Sequence, residues 1–166
     1  MKTIYIILAL LLVNLPISAV QYSMPITWDG AQDNNLCWAA CCQMILGFYG
    51  QTVEQSDIVQ LGTGGVDTTN VLFQQSLEPW DSNSCAQIIY TLGKGNIQTA
   101  NFSSPLSWPN LVSAILDTQP CIAQVLNSNQ LVHFVVVRGI TLADSLISWL
   151  DPSNPSDNKV PEHNTL

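Results

Sequence analysis

Positive charge is almost missing from this sequence: 166 residues carry 4 Lys and Arg against 12 Asp and Glu, a formal net charge of −8. Phosphate backbones are held by clustered Lys and Arg. Beyond the first few residues only Lys94, Arg138 and Lys159 remain, which excludes a nucleic-acid partner. Charge of either sign is scarce, at 10% of residues, while 47% are hydrophobic. Such a chain has material for a core and too little charge to stay disordered. His133 and His163 are the only histidines and no C-x-x-C pair exists, so the sequence offers no metal-ligand spacing and implies no cofactor. Nor is any apolar run as long as the roughly 20 residues of a membrane span. The length fits one domain.

What is present begins with a short apolar run, Ile4 to Val13, preceded by Lys2 and followed by Pro16 and Ile17-Ser18-Ala19. This is the pattern of a secretory signal peptide over residues 1–19, cut after Ala19. Residues 20–166 then form the mature domain, secreted to an extracellular or periplasmic space, with no membrane contact after cleavage. Export places Cys37, Cys41, Cys42, Cys85 and Cys121 in an oxidising setting. Their odd number leaves at least one thiol unpaired.

Along the mature chain, a short strand is expected between Gln21 and Trp28. The run Cys37 to Tyr49, with Asn34-Asn35 as caps and Gly50 as a stop, is apolar on every face except Gln43. It predicts a helix buried all round. Thr52-x-x-Gln55 reads as a capping box opening a helix through Leu61, ended by Gly62. Further helices are expected over Thr69–Leu77 and Cys85–Leu92, with a short strand at Ile97–Phe102. Ser107 caps another helix, in which Leu111, Val112, Ile115 and Leu116 share a face. From Pro120 the pattern changes to β-branched runs, Cys121–Leu126, Leu131–Ile140 and Leu146–Leu150, joined by turns and read as antiparallel strands. Helices first and strands afterwards define a segregated α+β fold. Asp151 to Leu166 reads as loop or tail.

Cys37 falls in the first turn of the buried helix, where unsatisfied N–H groups and the helix dipole favour a thiolate. His133 lies on a predicted strand and is placed to act as its base. Asp151 follows the neighbouring strand, where a hairpin brings it to His133 to hold the imidazole in one orientation. Asp144 and Asn154 are its competitors for that role. Gln32, five residues before Cys37, is the nearest side-chain amide for a developing oxyanion. Taken singly, each has a plainer explanation in core packing or turn formation.

Together and in this order they resemble papain-like cysteine peptidases. The carriers are Gln32-x-x-x-x-Cys37-Trp38-Ala39-Ala40, then Gln43-Met44-Ile45-Leu46 and Phe48-Tyr49-Gly50. Trp108-x-x-Leu111-x-x-Ala114-Ile115, the strand from Pro120 to Val125, His133-Phe134-Val135-Val136-Val137-x-Gly139 and Asp151-Pro152 continue it. The resemblance points to the compact branch of C39-like bacteriocin-leader peptidases and AvrRpt2-type secreted effectors. The 96 residues between Cys37 and His133 are fewer than the roughly 130 of full-length papains.

That resemblance implies a two-lobe fold, with a helical lobe at about 31–118, an antiparallel sheet lobe at about 119–152 and a tail at 153–166. It implies Cys37 as nucleophile, His133 as base, Asp151 as its orienter, and Gln32 with the Cys37 N–H as oxyanion hole. The substrate is then a peptide or protein. An inactive papain-like binding module and a transglutaminase-like acyl transferase are the alternative readings. The chain ends soon after Asp151, where relatives often continue, so the sheet is expected to be a strand short. With Cys37 free, Cys85 with Cys121 is the first expected disulfide, since Cys41 and Cys42 are badly placed to pair within a helix. Trp149 is a candidate shelter for the histidine's hydrogen bond, and Asn101-Phe102-Ser103 is a glycosylation sequon. Oligomeric state is not legible.

Overall fold

The β-branched runs of the second half form the strands that organise the molecule, β2 (Cys121–Leu126), β3 (Val132–Thr141) and β4 (Leu146–Leu150). Phe134, Val135, Val136, Val137 and Ile140 of β3 are all buried, so this strand is covered on both faces and runs through the middle of the sheet. β2 pairs antiparallel with it from Cys121 opposite Val137 to Leu126 opposite Val132. A short N-terminal strand, β1 (Gln21–Ser23), extends the same edge from Ser23 opposite Gly139 to Gln21 opposite Thr141. β4 takes the other edge, from Leu150 opposite Val136 to Leu146 opposite Thr141, with a register shift between Val137 and Gly139. Among the described residues the sheet therefore has four strands, the fourth supplied by the N-terminal segment. The computed structural model describes residues 21–32, 36–63, 85–100, 104–126 and 132–154.

Ahead of that sheet come the helices α1 (Cys37–Phe48), α2 (Gln55–Gly62), α3 (Cys85–Leu92) and α4 (Trp108–Leu116). The class is α+β. α1 buries every residue from Cys37 to Leu46 except the half-buried Gln43. It can do so because β3 covers one side of it while α2 and α3 cover another. α1 ends because Gly50 turns the chain through the left-handed region at φ 77°. Among the described residues no helix is long and apolar enough to cross a membrane.

Several local expectations are corrected. The capping box does not form: Glu54 occupies the N-cap of α2 without a side-chain bond, and the Gln55 side chain turns inward. Residues 97–100 are not a strand, because Ile97 is buried and Thr99 donates through Oγ1 to the Ala86 carbonyl at 3.1 Å, laying the segment along α3. Leu116 is 49% exposed, since it stands one step round α4 from the buried Ile115. All five thiols are free. The expected Cys85–Cys121 bridge fails on topology: α3 packs against α1 and α2, where the Cys85 and Cys42 thiols share a hydrogen bond, while Cys121 lies on β2 in the sheet. The leader, Asn34-Asn35, the helix expected at Thr69–Leu77, the sequon and the tail beyond Asn154 lie outside the described residues.

Candidate active site

α1 opens at Cys37, whose neighbour Leu36 takes the N-cap position with no side-chain bond to the helix. The first N–H groups of any helix find no acceptor within it, so the start of α1 presents donors around this thiol. Cys37 is itself 5% exposed. β3, packed on α1, brings His133 to the same place.

His133 Nε2 lies 2.8 Å from Asp151 Oδ1, with both side chains less than a fifth exposed (17% and 18%). Because a carboxylate only accepts, Nε2–H donates, and the other ring nitrogen, Nδ1, is left for the thiol. The hairpin accounts for the meeting. β4 runs back along β3 and ends at Leu150, which delivers Asp151 alongside the start of β3. A second bond fixes the carboxylate, from the Ser153 N–H to Oδ1 at 2.7 Å. Asp144 is exposed in the turn at the far end of the hairpin.

The electrostatics follow from these contacts. Hydrogen bonds to Asp151 and then to Cys37 push the His133 imidazole from its ordinary 6.5 up to about 10, against the opposing effect of burial. Burial pulls the Asp151 carboxyl upward, but the bonds from His133 and Ser153 and the imidazole charge outweigh it and leave it below its ordinary value. Burial drives the Cys41 thiol well above its ordinary value, and neighbouring Cys85, Cys37 and Asp151 add to the rise. Cys42 moves the same way through burial and its bond with Cys85.

The structure therefore brings Cys37, His133 and Asp151 into one hydrogen-bonded group. Gln32 stands in an exposed bend before α1, and its backbone N–H donates to Gln55 Oε1 at 3.1 Å. Sequence reasoning missed three contributors. Trp28 donates its indole N–H to the Asp151 carbonyl at 2.8 Å and lies over Gly30, where a Cβ would come within 2.8 Å of its ring. Trp149, by contrast, is half-buried in β4 opposite Val137. Gln55 and Gln43 are the others, and the signal of Gln43 was visible: it is the single polar residue of a helix otherwise apolar on all faces. Among the described residues no three His, Cys, Asp or Glu side chains gather to hold a metal.

A thiol at the start of a buried helix, met by a histidine from an antiparallel sheet, is the layout of a cysteine peptidase of the papain-like kind. The chain belongs to the Peptidase C39-like family, whose model matches residues 19–165. No curated protein matches the chain significantly. Membership in a peptidase family implies peptide or protein substrates.

Proposed function

We propose that this chain is a secreted cysteine peptidase working through Cys37, His133, Asp151 and Gln32. The observation that carries the reading is the 2.8 Å bond between His133 and Asp151, with the ring's other side turned to Cys37, in a chain of this family. His133 is protonated at neutral pH while it faces Cys37, which supports a thiolate–imidazolium pair. The thiolate attacks the scissile carbonyl. The carbonyl oxygen takes the negative charge, stabilised by the Gln32 side chain and the Cys37 N–H. His133 then gives its proton to the leaving amine, and the C–N bond breaks to leave a thioester on Cys37. Neutral His133 takes a proton from water, whose oxygen displaces the thiolate and releases the carboxylic acid.

The apolar run behind Lys2 and the small residue Ala19 support export and cleavage of the leader. A mature N-terminus at Val20 in secreted material is the expected finding. The site is tested with an epoxide inhibitor of thiol peptidases. Stoichiometric label on Cys37 alone, with loss of peptide cleavage, is expected; label spread over several cysteines overturns the assignment. Gln32→Ala is expected to lower kcat by about 10²–10³-fold in a folded protein. A loss of less than about tenfold gives the oxyanion role to another donor.

A further inference from the structure

We infer that Gln55 is a positioning residue for the oxyanion side of this site, holding the Gly30–Gln32 backbone in place against the helix that carries Cys37. The inference rests on the peptidase reading above. Gln55 is 1% exposed and is the only polar residue buried in the core among those described. A buried amide is tolerated only when its groups are hydrogen-bonded, and those of Gln55 are bonded in one direction of purpose. Its Oε1 accepts the Gln32 N–H at 3.1 Å, and its Nε2 donates to the Gly30 carbonyl at 2.7 Å. The second Nε2 hydrogen goes to Gln43 Oε1 at 2.8 Å, and Gln43 Nε2 donates in turn to the Val53 carbonyl at 2.8 Å.

Gln43 lies on α1, six residues after Cys37. The two glutamines thus connect the loop bearing Gln32 to the helix bearing the nucleophile. The opposite side of the same loop is held by the histidine's partner segment. Ala31 N–H donates to the Pro152 carbonyl at 3.0 Å, and the Trp28 indole donates to the Asp151 carbonyl. Gly30 to Gln32 is clamped between α1 and the Asp151–Pro152 corner, the two places that define the geometry of attack. Stability alone does not call for this arrangement, because an apolar side chain of the same volume fills a core position without desolvating an amide. Position does call for it: a shift of about 1 Å in a catalytic group costs on the order of 10²-fold in rate.

The test compares the intact chain with Gln55→Met, Gln32→Ala and the double variant. Each is assayed for kcat and KM on one peptide, and for the rate at which iodoacetamide alkylates Cys37. Gln55→Met is expected to lower kcat by about 10–10²-fold with KM within about threefold. Alkylation forms no oxyanion, so its rate is expected to stay within about twofold. In the Gln32→Ala background, Gln55→Met is expected to cost less than about threefold more, because one acts through the other. A kcat within about threefold of the parent, an equal loss in both backgrounds, or alkylation falling in step with turnover overturns the inference. If Gln55→Met does not fold, the half-buried Gln43→Met carries the test, with the same pattern at smaller size expected and unchanged turnover overturning it. A parent chain that alkylates at Cys37 yet cleaves no peptide overturns the peptidase reading and this inference together. A parent that cleaves, beside a Gln55→Met chain that cleaves equally well, overturns the positioning role alone.

Discussion

In the proposed mechanism Asp151 acts through geometry more than through charge. Its Oδ1 receives both His133 Nε2–H and the Ser153 N–H, so the carboxylate is fixed before it fixes the imidazole. An amide oxygen at the same place accepts the same bond. Asp151→Asn is therefore expected to keep much of kcat/KM on a peptide substrate, while Asp151→Ala loses about 10²-fold and Asp144→Ala, in an exposed turn, changes little. Near-parent activity in Asp151→Ala moves the role elsewhere and reduces the site to Cys37 and His133. The pH profile adds a second reading. The bond to the charged Asp151 acceptor is the largest cause holding His133 at about 10, and an amide keeps the bond but gives up the charge, so Asp151→Asn should bring the alkaline loss of activity to lower pH. The thiols separate by the same kind of reasoning. At mildly acidic pH an alkylating agent is expected to reach Cys37, and to spare Cys41 and Cys42 until the chain is unfolded, since burial holds both thiols well above their ordinary range. Peptide mapping before and after denaturation checks this. Cys37, His133 and Asp151 were legible because each stands at the end of an element whose pattern is plain in sequence. Gln55 was not, because an amide four residues before Val59 looks the same whether it caps a helix or turns into the core.

At the scale of elements, the best-read segments are those whose patterns admit one solution. The all-apolar run from Cys37 has to be buried on every side, and it is. The β-branched runs Cys121–Leu126 and Leu146–Leu150 form strands at those residues. Ile97–Phe102 has the same apolar flavour, yet its first four residues follow α3 because Ile97 finds a core contact there, a matter of tertiary neighbours that spacing does not encode. β1 shows the other limit. Three residues carry too little pattern to say which strand they join, and the answer is set by Gly139. A Cβ there would stand 2.5 Å from the Tyr22 carbonyl oxygen and 3.0 Å from Ser23 Cα, so only glycine lets β1 close on β3. Gly139→Ala is expected to destabilise the fold by about 1–3 kcal/mol, because backbone cannot yield as a side-chain tip does. Urea titration reads the change. Stability within a few tenths of the parent would mean that β1 moves aside at little cost.

The whole molecule feels the active site through protonation. His133 and Asp151 come from the two arms of one hairpin, at the end away from its turn, and their pairing changes how many protons the folded chain binds. For His133 the folded value, about 10, lies above the ordinary 6.5 of the unfolded chain. Its contribution to stability is thus complete below about pH 6.5 and is lost as pH rises toward 10. For Asp151 the folded value lies below the ordinary 3.8. Its contribution is present above that value and disappears as pH falls through the depressed one. The pair therefore stabilises most between about pH 4 and 6.5, a window acid for a chain that carries a formal net charge of −8. That net charge adds its own slope, as self-repulsion in the folded state. The two effects separate by comparison. In a Cys37→Ser background, unfolding free energy is measured by urea titration from pH 5 to pH 9.5. A second chain adds His133→Gln, which keeps an amide donor toward Asp151 and removes the titrating ring. Repulsion is common to both chains, so the histidine's share is the difference between their slopes. The parent background is expected to fall more steeply above pH 6.5, with the two curves parallel below it. Parallel curves over the whole range would mean that His133 gains no protons on folding beside Asp151 alone, against the bond to Asp151 as the largest cause of its rise.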